Sequence, residues 1–395
     1  MNISFNNTQN AFAYKTDKDL KKARFLFKTM TYDWIVNLGI KLTPFLLKNN
    51  FPFVKTIIRK TIFKQFVGGE TLHQSIPIAE KLKEYNVQII LDYGVEGKEG
   101  EENFNKATEE FIKVVRFAAT QSNIPFISIK VTGLARFELL ESLNEAPRLR
   151  SGIHDHELEE AEWERVRERM VKICEIAAEL GVGVLIDAEE TWIQDPVDKL
   201  TMELMEKFNN EKAVVFNTFQ LYRHDRFNFL KLSHKIAVER NFILGAKLVR
   251  GAYMEKERER ALQHNYQSPI HMNKEKCDKD FNDSSQYCID NLGSISVIIA
   301  SHNDYSNLYA AELLEKKGLP LNHPNVHFSQ LYGMSDNITF NLASVGCNVS
   351  KYLPFGPIDD VIPYLMRRAE ENSSISGQTG KELSFIEKEM KRRKK

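Results

Sequence analysis

The stretch SVIIASHNDYSNLYAAELLEKKG, residues 296–318, reads as one strand followed by one helix. Its first part, SVIIASHN (296–303), is a short apolar run rich in β-branched residues that ends in polar groups. Its second part repeats apolar residues at helical spacing and closes on Gly318, a suitable C-cap. A near-continuous apolar run suits a strand buried on both faces, as in a parallel sheet. Seven more such runs occur along the chain: IILDYGV (89–95), FISIKVTGL (126–134), VGVLIDAE (182–189), AVVFNTFQ (213–220), LGAKLVRGA (244–252), VHFSQLYGM (326–334) and NVSKYLPFG (348–356). Helical patterns lie between them. NFNKATEEFIKVVRFAATQS has apolar residues at 111, 114, 115 and 118 on one face, and NFLKLSHKIAVER reads the same way. Eight strand-then-helix units predict an α/β fold, a (β/α)8 TIM-type barrel. A doubly wound open sheet is the competing architecture. Residues 135–181 hold an insertion of extra helix. The expected division is an N-terminal helical arm over 1–88, a barrel over 89–376 and a polar, basic, solvated tail over 377–395.

Composition narrows the function classes. The chain has 395 residues, 42% hydrophobic and 27% charged, so it can bury a large core and is not globally disordered. Lys plus Arg and Asp plus Glu are 54 each, which argues against nucleic-acid binding through a basic body. The four cysteines, Cys174, Cys277, Cys288 and Cys347, form no CxxC pair and read as small core fillers in a reducing compartment. No zinc motif, GxGxxG, P-loop, GxSxG or HExxH is present, and His154-Asp155-His156 reads as a surface loop, so no metal is expected. The opening MNISFNNTQNAF resembles neither a signal peptide nor a transit peptide, and no apolar span is visible; a cytoplasmic, bacterial protein is the expectation. The charge is uneven. Residues 1–70 carry twelve Lys/Arg against four acids, interleaved with large apolar residues in FPFVKTIIRKTIFKQFV (51–67). A helical arm with a solvated basic face is the plain reading. Contact of residues 1–67 with an anionic membrane is the sharper one.

Chemistry gathers at the ends of the runs. Barrel enzymes place their sites at the C-terminal ends of strands. Here those ends carry Lys130, Asp187, Asn217, Lys247, Arg250, Ser301, His302, Asn303 and Gln330. A buried charge costs several kcal/mol unless paired, so polar groups at matching positions in several strands point to a shared site. After the eighth run, GPIDDVIPYLMRRAEEN places Tyr364, Arg367, Arg368 and Glu371 on one helical face. Two adjacent arginines can fork a carboxylate or a phosphate. Pro363 predicts a kink or a late helix start.

Six blocks in order resemble the flavin-dependent proline dehydrogenases: SIKVTGL (128–134), LIDAEET (185–191), KLVRGAYMEKERERA (247–261), ASHND (300–304), QLYGMSD (330–336) and KYLPFGPIDDVIPYLMRRAEEN (351–372). The resemblance runs over about residues 68–376, and the length suggests the form without a fused aldehyde dehydrogenase. It implies a distorted (β/α)8 barrel with the eighth helix over the mouth. It also implies FAD-dependent oxidation of L-proline to 1-pyrroline-5-carboxylate, with electrons passed to a membrane quinone. Oxidation of a related imino acid such as hydroxyproline, or a non-catalytic proline sensor, are the alternatives. By resemblance, Arg367 and Arg368 hold the proline carboxylate with help from Lys130. Tyr253, Leu331, Tyr352 and Tyr364 wall the ring, and Asp187 supplies electrostatics. The flavin would meet Asn217, Lys247, Val249, Arg250, Gly251, Ala252, Ser301, His302, Asn303 and Glu371. Position 247 is Lys where fused bacterial enzymes often carry Arg, and 217 is Asn where they carry Gln. By the same resemblance, the tyrosine at 352 implies a preference for proline over a 4-hydroxylated ring.

Overall fold

The protein's structure, a computed structural model, describes residues 3–49, 51–94, 99–144, 153–374 and 378–394; the side chains at 44, 48, 153–156, 370–374 and 378 lie outside that description. Eight parallel strands close into a barrel in chain order: β1 Val87–Tyr93, β2 Phe126–Ile129, β3 Gly183–Ile186, β4 Val215–Gln220, β5 Leu244–Val249, β6 Ile295–Ala300, β7 Val326–Leu331 and β8 Val349–Phe355. Each falls on one of the eight runs, because a strand with helices outside and side-chain layers inside must be apolar on both faces. Register is continuous within the pairs; Val87 faces Val349, Phe126 faces Gly183, and Thr218 faces Lys247. The open-sheet alternative is excluded by closure. In the stretch between β2 and β3, the extra helix Phe137–Asn144 precedes the long Ile153–Leu180.

The chain divides into two units, Met1–Glu96 with Ser329–Lys395, and Gly97–Phe328. In the first, helix Asp17–Met30 opens on a Thr16/Asp19 capping box and buries Leu20, Ala23, Phe27 and Met30 at helical spacing. That stripe joins Phe63, Phe66, Ile358, Val361, Leu365 and Ile386 in one apolar cluster. Each such side chain, removed from water, contributes about 1.5–3 kcal/mol. The helix after β8, Ile358–Ser374, is therefore fastened by the arm. It starts at Ile358 with Pro363 inside it, so the late start does not occur.

The C-terminal run is not a solvated tail. Gln378–Arg392 is a helix that buries Ile386 and Glu389. Arg392 and Arg393 both bind Glu389 at 2.8 Å, and Arg393 also donates to the carbonyls of Phe12 and Lys15. The basic residues find acceptors in the arm, and LSFIEKEM supplies an apolar stripe that the charge count obscured. Among the described residues no helix is long and apolar enough to cross a membrane.

Candidate functional site

In the second unit, the strand ends carry a buried charge pair. Lys247 on β5 binds Asp187, the residue that follows β3, through its ammonium and Asp187 Oδ1. Asp187 is fixed in turn by its N–H donating to the Ile129 carbonyl at 2.9 Å. Two of the expected residues thus come together. Lys130 follows β2 and is half-buried.

Asn217 does not join them. Strand side chains alternate faces, and parallel partners in register share a face. Thr218 is the partner of Lys247, so Asn217 lies on the opposite face of the sheet. There Asn217 Nδ2 donates to Asp198 Oδ1 at 2.9 Å, and Asn217 Oδ1 accepts from the Thr218 N–H. Asp198 also takes bonds from Gln194 and the Arg226 guanidinium. Asn217 belongs to a lock between β4 and the helices Thr191–Phe208 and Arg226–Glu239. The expectation of a flavin contact at Asn217 is corrected.

The residue missed is Gln220, three further along β4 and on the Lys247 face. It is buried, its Nε2 donates to the Glu189 carbonyl at 3.0 Å, and its Oε1 has no hydrogen-bond partner among the described residues. An orphaned buried acceptor is costly by about 1–3 kcal/mol, so it marks a place for a donor the chain does not supply. Strand parity was the signal that separates 220 from 217.

Past β5, Arg250 is held on both sides of its guanidinium. Nε and Nη2 reach Asp278 Oδ1 at 2.9 and 2.7 Å; Nη1 reaches Ser301 Oγ at 2.6 Å, and Nη2 reaches Ser306 Oγ at 2.9 Å. The plane lies over the Phe281 ring at 4.4 Å. Gly251 follows at φ +133°, where an added Cβ would run into the Tyr222 ring at 2.4 Å. Only glycine permits this approach of bare backbone. Val249 is half-buried and Ala252 exposed. Tyr253 is buried, with Lys256 Nζ 5.7 Å from its ring centre. After β6, Ser301 Oγ also accepts from the Asn303 N–H at 3.1 Å, and Asn303 Oδ1 caps helix Asp304–Lys316 by accepting from the Ser306 N–H. His302, half-buried, sits between them.

In the first unit, Tyr352 is buried on β8, and its carbonyl accepts from the Tyr332 N–H at 2.9 Å, one residue past Leu331 at the end of β7. On helix Ile358–Ser374, the Arg368 guanidinium lies 5.1 Å from the Tyr364 ring centre; both are buried, and Arg367 beside them is half-buried. Stacking on an aromatic ring orients a guanidinium. Gln330, at the end of β7, accepts from Thr339 Oγ1 at 2.7 Å. The side chain of Glu371 lies outside the description, as do those of His154 and His156. Among the described residues no group of three His, Cys, Asp or Glu could hold a metal ion.

Residues 76–381 match the family model for proline dehydrogenase. The chain is 32% identical over 374 residues to "Proline dehydrogenase 1, mitochondrial" of Dictyostelium discoideum, covering 85% of this chain and 65% of that one. It is 34% identical over 328 residues to "Carbapenem antibiotics biosynthesis protein CarD" of Pectobacterium carotovorum subsp. carotovorum, covering 83% of each. Among solved structures, proline utilization A (PutA) from Bdellovibrio bacteriovorus, inactivated by N-propargylglycine, superposes with a TM-score of 0.75 at 21% identity. That match spans 95% of this chain and 42% of the PutA chain, and at that identity it speaks to the fold.

Proposed function

The chain belongs to the proline dehydrogenase family, and we propose that it oxidises L-proline to 1-pyrroline-5-carboxylate with bound FAD and passes the electrons to a membrane quinone, the first step of proline catabolism to glutamate. The observation that carries the reading is the face Tyr364, Arg367 and Arg368 on the helix after β8, with one guanidinium already stacked on an aromatic ring. A zwitterionic imino acid needs a rigid donor fork for its carboxylate, and two adjacent arginines provide it. Lys130 adds a third cation. Tyr253, Leu331, Tyr352 and Tyr364 supply apolar surface for the ring. The concentration of positive charge favours loss of the ammonium proton, and a hydride leaves only from the carbon beside a neutral amine.

The residues present fit a flavin. Gln220 Oε1 is an acceptor awaiting a donor, and the turn Val249-Arg250-Gly251-Ala252 offers backbone N–H groups beside a glycine where a side chain would block approach. Lys247 would meet the ring system, its ammonium steadied by Asp187. Arg250, Ser301, His302, Asn303 and Glu371 would hold the dinucleotide. The chemistry that FAD supplies when bound is acceptance of the hydride and later release of the electron pair. The protein binds, orients and keeps water away.

A quinone lives in lipid, so the reading also makes this a peripheral protein, cytoplasmic and held at the inner face of a bacterial membrane through residues 1–67. Support comes from the exposed Phe25, Trp34, Leu38, Phe45, Phe53 and Ile57, set among the lysines of that segment.

An anaerobic absorbance spectrum tests the activity. Yellow flavin in the purified protein should bleach with L-proline and much less with D-proline or 4-hydroxyproline. Bleaching that favours 4-hydroxyproline would reassign the substrate to the hydroxylated ring and remove the role given to Tyr352. A colourless protein, or a flavin left oxidised by L-proline, would sink the catalytic reading.

A further inference from the structure

We propose that the N-terminal arm contains a pocket for the phosphate-bearing headgroup of an anionic phospholipid. This rests on the membrane reading above and gives it a specific site. A cavity of about 810 Å³ lies within the first unit, walled by helix Asp17–Met30, the turn Arg59–Phe63 and helix Leu72–Lys83. A volume of this size suits a small organic molecule. Eight cationic side chains line it against two carboxylates.

Both carboxylates are engaged locally. Glu70 is paired with Arg59 at 2.6 Å, and Asp19 takes the Thr16 hydroxyl and N–H as part of a helix cap. Among the described residues Lys18, Lys22, Lys60 and Lys64 have no carboxylate within ion-pair distance. Lys18 and Lys22, and likewise Lys60 and Lys64, are four apart on helical backbone, where like charges repel. Such a gathering costs stability in the free protein and is relieved by an anion. Lysine ammoniums are compact point charges, suited to tetrahedral phosphate rather than to a planar carboxylate.

Four further features favour a lipid over a free anion. Phe25, 70% exposed, stands on the lining itself, and buried Phe63 and Val67 form apolar wall. The next elements expose Trp34, Leu38, Phe45 and Ile57. Phe53, 76% exposed, is held at φ +69°, a left-handed conformation that is strained for a bulky residue. Aromatic residues of this kind sit at membrane interfaces. The wall residues Arg59–Phe63 form a short π-helix, a rare conformation frequent at functional positions. A soluble phosphate would satisfy the lysines and leave every one of these apolar groups in water.

The test is sedimentation of the full flavin-loaded chain with phosphatidylcholine vesicles, with and without phosphatidylglycerol. Wild type should prefer the anionic vesicles. K60Q/K64Q should lose that preference by about tenfold or more, whereas K28Q/K41Q, the same charge change outside the pocket, should keep most of it. Turnover of L-proline with a soluble dye acceptor should be equal in both doubles, which shows they are folded. Equal loss in both doubles would overturn the pocket in favour of diffuse attraction. Retained binding in K60Q/K64Q together with lost binding in W34S/F53S would overturn the pocket while leaving the membrane reading intact. Binding to neither vesicle would remove the membrane reading and the pocket with it. Inorganic phosphate that displaces the protein from vesicles at low concentration, against a sulfate control, would overturn the lipid as the ligand.

Discussion

Two lysines stand inside strands of the barrel, each against an aspartate: Lys247 of β5 with Asp187, and Lys351 of β8 with Asp336. In composition they are alike. Lys351 is fully buried, and besides Asp336 at 2.9 Å its ammonium donates to the Met334 carbonyl at 2.5 Å. Asp336 also takes Lys15 at 3.0 Å and the Tyr14 hydroxyl at 2.9 Å. Burial alone would raise the Asp336 carboxyl, but Lys15 and Lys351 outweigh it and hold it below the ordinary aspartate range. Every partner is a piece of this chain, and two of them belong to the arm. The Lys247 pair keeps some exposure on the Asp187 side, and its strand face also carries Gln220 with an unused oxygen. A buried ion pair by itself is weak evidence of function. What separates the two is what engages them: the Lys351 set is closed off by Lys15 and Tyr14 of the arm, whereas the Lys247 face is open at Gln220 Oε1, which has no hydrogen-bond partner among the described residues.

The largest effect should come from opening the closed set. Asp336→Ala leaves Lys351 and Lys15 without their counter-charge and should cost about 3–5 kcal/mol. A large fall in the urea midpoint would show it. A midpoint that hardly moves would mean that the Lys351 cluster is not structural, and the comparison would collapse. The open set should respond through chemistry instead. Lys247→Met should lower turnover by about 100-fold, with Lys247→Arg restoring much of it, since a cationic donor is what the position supplies. A turnover loss in Lys247→Met no larger than that in a surface variant would remove Lys247 from the site.

β4 permits a sharper version of the same contrast. Asn217→Ala unties Asp198 and should cost about 1–3 kcal/mol of stability while leaving flavin content and its absorbance band unchanged. Gln220→Ala removes the Nε2 bond to the Glu189 carbonyl together with the unpartnered oxygen, so it should also cost about 1–3 kcal/mol, but unlike Asn217→Ala it should weaken flavin retention or shift its band. Reversed outcomes would return the cofactor to Asn217.

The barrel was legible because its signal is repeated eight times, and because strands buried on both faces must be apolar. Strand ends such as Lys247, Arg250 and Ser301 were legible too, since charge in an apolar run needs a reason. Asn217 was misread because a run of six buried residues does not announce which parity faces inward; the register with Lys247 settles that. Lys351 went unremarked because the saturating partners, Tyr14, Lys15 and Asp336, are scattered over more than three hundred residues. The C-terminal helix was hidden by its own charge. Arg392 and Arg393 read as solvated until Glu389 and the arm carbonyls are brought to them.

The smallest expected effect is a slope rather than a loss. Glu382 is buried beside the closed cluster, and its Oε1 accepts from the Ser335 N–H at 2.7 Å. Burial, followed by the Asp336 charge, pushes its carboxyl above the ordinary value near 4.5. Below that pH the carboxyl is protonated in both folded and unfolded chains and costs nothing. As pH rises, the unfolded chain releases the proton while the folded one retains it, so stability declines until the raised folded value is passed. Glu382→Gln keeps an oxygen for Ser335 and has no proton to release. Its stability relative to wild type should therefore grow as pH rises from about 4.5 toward neutrality. Asp336 works in the opposite sense, contributing stability that is lost in acid, and it is unchanged in this variant. Urea unfolding of both proteins across that range isolates the Glu382 contribution. A difference that stays flat with pH would show that Glu382 ionises in the cluster like any other carboxylate, and that the set around Lys351 is less closed than its hydrogen bonds make it.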